Sequence, residues 1–214
     1  MKSSLLYQLK TYGEHTLVTI GILLASPFYI LLITPHAEEV PFMFPMMSYM
    51  FLFLFSLIFS QTLSAIHTQM ALSMGVTRRH WHIASFFCRL LYVLVCVLFH
   101  HFIVNALSQR VLGVAVIAGA EYFPLVLSAS MLLACLGCLS GYLAVRYGAK
   151  RATILYLVLI LAFVGICFLV AFNIHSGKIP ALLGNPLLPL VLLTLAAVME
   201  FFSWRLLRQM SVNL

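Results

Sequence analysis

Apolar residues in this chain come in long unbroken runs rather than in alternation, and those runs set the fold class. Crossing about 30 Å of hydrocarbon takes roughly 20 residues of helix. Six stretches qualify: 17–34, 46–66, 83–107, 122–145, 152–174 and 186–206. A period of two is almost absent, which removes a transmembrane barrel, whose strands alternate between lipid-facing and lumen-facing residues. The pattern predicts an all-α integral membrane protein, residues 1–214 forming a single domain of six transmembrane helices. Ahead of the first run, Leu5, Leu6, Leu9 and Tyr12 recur at near-helical spacing while Lys2, Gln8 and Lys10 can face water. Residues 1–14 are therefore expected to form an interfacial helix lying on the membrane, with Gly13 turning the chain into the first span.

Composition agrees with this reading and excludes others. Of 214 residues, 64% are hydrophobic and 8% charged, and the mean hydropathy is +1.10. A soluble domain of this size has too little interior to hide so much apolar surface. The net charge of +7 forms no patch interleaved with aromatics, so nucleic acid is not indicated. Lys2 and Lys10 ahead of an apolar run imitate a secretory signal, but the run is long for a signal core and no cleavage pattern follows. It is read as a retained first span.

The cations report orientation instead. Lys2, Lys10, Arg78, Arg79, Arg89, Arg146, Lys150, Arg151, Arg205 and Arg208 fall on one side of the six-span arrangement, and Arg110 and Lys178 on the other. The positive-inside rule puts both termini in the cytoplasm. Within the apolar runs, Arg89 is expected to snorkel to the cytoplasmic surface, about 9 Å from the start of its helix. Glu200 is expected to meet interfacial cations such as Arg205 or Arg146.

Several groups invite chemical readings. Cys135 and Cys138 have the spacing of a redox or metal pair, but they sit inside a span with Ser130, Ala134, Gly137 and Gly141, a stripe of small residues that suits close helix packing. Five cysteines, all in apolar segments, make a disulfide framework improbable, and no metal site is expected. Met43, Met46, Met47 and Met50 place four thioethers on one helical face. With His100 and His101 they are candidates for the wall of a pathway that accepts greasy substrates. The chain has no G-x-x-x-x-G-K-[ST] phosphate loop, no H-E-x-x-H and no G-x-S-x-G. It is not expected to be an enzyme, and any work it does must be powered by another polypeptide.

Between the second and third runs lies HTQMALSMGVTRRHWH, residues 67–82. About two helical turns along the membrane face are expected here, with Gly75 as a turn. Residues 71–79, ALSMGVTRR, resemble the cytoplasmic loop of ABC-2 type permeases, the membrane subunits of bacterial ABC exporters. Six spans, cytoplasmic termini, the interfacial N-terminal helix and a short basic second inner loop with Arg146, Lys150 and Arg151 resemble the same family. The connection 175–185 departs from it, being short where the family often has a re-entrant hairpin.

The resemblance implies an ABC-2 type exporter fold in which Met70, Ala71, Leu72, Ser73 and Met74 form a coupling helix docked on an ATP-binding subunit. Gly75, Val76, Thr77, Arg78 and Arg79 form the turn into the third span. Two copies of an ABC ATPase, carrying the ATP and magnesium that this chain lacks, and a second permease subunit, identical or homologous, are the implied partners. Alternating access of an amphiphile, whether peptide, drug or lipid, is the implied activity. Two other classes stay open: a non-transporting assembly or immunity factor, and an intramembrane enzyme using His100, His101 and Glu200.

Overall fold

The computed structural model describes residues 2–33, 40–112, 122–148 and 185–210, with scattered residues between 150 and 165. The fifth predicted run lies largely outside these residues, as do the 175–184 connection and Arg151. Every regular element among the described residues is helical: α1 Lys2–Ile33, α2 Val40–Ser73, α3 Arg78–Phe99, α4 Asn105–Leu112, α5 Phe123–Tyr147 and α6 Leu187–Arg208. A five-residue π-helical segment, His100–Val104, joins α3 to α4. Among the described residues four stretches are long and apolar enough to cross a membrane: Met47–Ser73, Arg78–Leu107, Phe123–Tyr147 and Leu187–Arg208. The chain is an all-α membrane protein.

Two boundaries differ from those expected. The interfacial segment and the first span form one 32-residue helix, without a turn at Gly13. A glycine costs a helix only about 1 kcal/mol relative to alanine. That is too little to break α1, where Tyr12 and Leu23 are both buried in the core cluster. The coupling helix is likewise not a separate element, because α2 continues through Met70, Ala71, Leu72 and Ser73. Nothing between Ile66 and Ser73 breaks a helix, and the first residue that does is Gly75.

Small residues set the closest crossing, where α2 packs on α5. A Cβ on Gly137 would strike the carbonyl oxygen of Leu57, and one on Gly141 would lie 2.6 Å from that of Gln61. From α2, Ser56, Ser60, Ser64 and Thr68 recur every fourth residue and are all buried. Without side-chain bulk between them the two backbones come close enough for dispersion to hold them in lipid, where no hydrophobic drive exists between helices. The main core joins α1, α2, α3, α5 and α6 through Leu23, Leu52, Tyr92, Val97, Met131 and Ala196. By contrast, α6 turns Leu187, Leu190, Val191, Val198 and Phe201 outward, a surface suited to acyl chains rather than water.

Candidate functional site

The α2–α3 connection is a tight, well-capped elbow. Val76 N–H donates to the carbonyl of Ala71 at 3.0 Å and Gly75 N–H to that of Leu72 at 3.1 Å. This pair of bonds is the Schellman pattern, which needs a left-handed residue just past the helix end. Gly75 supplies it with φ of +82°. Thr77 then caps α3, its hydroxyl accepting from His80 N–H at 3.4 Å. Met70, Ser73, Met74, Gly75, Thr77 and Arg79 are exposed on the elbow.

The start of α1 and the end of α6 converge on it. Trp81 Nε1 donates to the Thr68 hydroxyl at 3.0 Å across the elbow. Gln8 of α1 donates to the Trp81 carbonyl at 3.2 Å, and Tyr7 bonds His67 at 2.6 Å. Arg78 Nη2 donates to the Met210 carbonyl just past α6 at 2.6 Å. Beneath the elbow, Ala71, Trp81, Cys138, Tyr142, Leu207 and Met210 form a second buried cluster. Arginines at a helix N-terminus oppose its dipole, a cost of about 0.3–1 kcal/mol each. Arg78 offsets that cost by reaching the negative carbonyl end of α6. At the same end, Arg146 of α5 donates to Gln209 at 2.6 Å, and Lys150 is exposed.

Deeper in the bundle lies an ion pair. Arg89 is fully buried, and its Nη2 donates to Oε1 and Oε2 of Glu200 at 2.6 and 2.7 Å. His82 Nε2 lies 3.3 Å from the same Oε1. Neither expected environment is found: Arg89 does not snorkel, and Glu200 meets neither Arg205 nor Arg146. The reason is depth. Because Thr77 starts α3 at Arg78 rather than at residue 83, Arg89 sits about 16 Å along the helix, too far to reach its end. Arg89 is thus not one of the cations that can report orientation.

The other candidates lie elsewhere. His100 is buried in the π segment and packs at a tilt of 43° against Tyr49 of α2 with centroids 4.5 Å apart, while His101 packs edge-on against Phe123 of α5 at 5.6 Å. Both therefore sit at the end opposite the elbow, each in contact with an aromatic ring. Met47 and Met50 are half-buried on α2. The side chains of Met43 and Met46 lie outside the described residues, although both belong to α2. Cys88, Cys96, Cys135 and Cys138 are free and buried. Among the described residues no group of three or more histidines, cysteines or carboxylates has an arrangement that could hold a metal ion.

No protein family, characterised protein or solved structure matches the chain.

Proposed function

We propose that the chain is the transmembrane permease subunit of an ATP-driven exporter of the ABC-2 type. It moves an amphiphile by alternating access when paired with a second permease subunit and two ATPase subunits. The elbow carries this reading. The second apolar run ends at residue 66, yet α2 extends to Ser73, about 10 Å further. The elbow therefore lies beyond the hydrocarbon, at and past headgroup level, on the cation-rich side, which is cytoplasmic by the positive-inside rule. Its exposed Met70 and Met74 form an apolar knob beside Arg79. The bonds from α1 and α6 hold that knob rigidly to the membrane helices. A nucleotide-driven push at Met74 then reaches α2 and α3 without loss in a flexible loop.

The test uses the full chain in nanodiscs with the ABC ATPase subunit that copurifies with it, which the proposal requires to exist. Gly75→Val strains a left-handed residue by about 1–2 kcal/mol, and Arg78→Glu breaks the link to Met210. Both variants are expected to insert normally and to lose at least tenfold in stimulation of ATP hydrolysis. Undiminished stimulation in both variants, or no association with the ATPase, overturns the proposal.

A further inference from the structure

Between α3 and α6, on the elbow side of the Arg89–Glu200 pair, runs an open groove of about 500 Å³. Its walls are two matching helical faces: Arg79, His82, Ile83 and Phe86 on α3, and Ala197, Glu200, Phe201 and Trp204 on α6. Both sets follow the i, i+3, i+4, i+7 spacing of one helix face. The helices run in opposite directions here, so Arg79 and Trp204 sit toward the elbow end while Phe86 and Ala197 lie deeper. At the elbow end Arg208 stands over the Trp204 ring, 5.8 Å from its centroid.

Charge is distributed unevenly along this groove. Its single carboxylate, Glu200, is already held by Arg89 and His82. The cations at the mouth, Arg79 and Arg208, have no acid partner within salt-bridge distance among the described residues. A second copy of the chain is poorly suited to fill it, since each copy carries a net charge of +7 and would bring the same basic end. An occupant with a negative head and an apolar body matches both ends. Basic pockets between membrane helices bind anionic headgroups in this way.

We propose that the groove binds an anionic phospholipid of the adjoining leaflet, with its phosphate held by Arg79 and Arg208 and one acyl chain laid along Ile83, Phe86, Ala197 and Phe201. Trp204 sits at the boundary between headgroup and chain, as interfacial tryptophans do. The site depends on membrane placement alone and not on coupling to ATP hydrolysis.

Trp204 is a built-in reporter, because the only other tryptophan, Trp81, is buried. Nanodiscs holding the full chain receive acyl-brominated phosphatidylglycerol or phosphatidylcholine at equal mole fraction. Phosphatidylglycerol is expected to quench at much lower mole fraction, an effect absent in Trp204→Phe. Its preference should fall roughly fivefold with Arg79→Ala and roughly fivefold again with Arg208→Ala added. Ala197→Phe, which fills the groove while leaving both arginines, should reduce quenching by either lipid, and Arg110→Ala at the far end should change nothing. Equal quenching by the two lipids, a preference that survives loss of both arginines, or an equal loss in Arg110→Ala overturns the assignment. So does absence of quenching by either lipid, the result expected if protein covers the groove.

Discussion

At the scale of single residues, the buried Arg89–Glu200 pair gives the sharpest prediction. A buried ion pair gains little over a well-packed apolar pair, but removing one partner strands the other charge at a cost of about 3–5 kcal/mol. Glu200→Ala is therefore expected to lower stability by that amount in a detergent unfolding titration. The double change Arg89→Met with Glu200→Leu should stay close to the parent. A double variant as unstable as the single one would mean that the pair is not the source of the loss. The sequence displays each of these charges as an anomaly inside an apolar run, yet 111 residues separate them and no local rule joins them. The depth of Arg89 was more accessible. Thr77 ahead of Arg78 is a helix-start signal, and placing the start of the helix by hydropathy passed over it because cations at an N-terminus look like loop.

At the scale of helices, hydropathy reads where lipid is, whereas caps and breakers decide where a helix ends. That is why the apolar runs in α2, α3, α5 and α6 were legible, and the ends of α5 and α6 with them to within two residues, while the capped elbow ends of α2 and α3 were not. It is also why Gly13 and Gly75, which look alike as punctuation, behave differently. Gly75 has a positive φ and closes a Schellman turn, whereas Gly13 is an ordinary residue of α1 with open space around it. Gly13→Ala is accordingly expected to leave stability unchanged or raise it by up to about 1 kcal/mol. Gly137→Ala should cost about 1–3 kcal/mol, because its methyl group meets the Leu57 backbone. Both are read in the same unfolding titration, and a stabilising Gly137→Ala would contradict the close α2–α5 crossing. The small stripe on α5 was visible in the sequence. Its counterpart on α2, serine or threonine at 56, 60, 64 and 68, was equally visible but is masked by the phenylalanines around it.

At the scale of the whole molecule, the convergence of α1, the α2–α3 elbow and the end of α6 makes one end of the bundle a braced plate. The far end, where His100 meets Tyr49 and His101 meets Phe123, is joined by ring packing. The two ends must lie on opposite sides of a membrane if α6 spans it, since 22 residues of helix extend about 33 Å against roughly 30 Å of hydrocarbon. Met74 at the braced end and Leu187 at the other are 62% and 65% exposed, so both positions admit a labelled cysteine. In a background with Cys167 replaced by serine, the four buried native thiols serve as the blank. A membrane-impermeant maleimide added to intact cells is expected to label Leu187→Cys and to spare Met74→Cys until the membrane is opened. The reverse pattern would put the elbow where no ATP is hydrolysed and would end the exporter reading, although the lipid groove could persist in the opposite leaflet. Labelling of both positions from one side would remove α6 as a span, and with it the bilayer placement on which the groove depends.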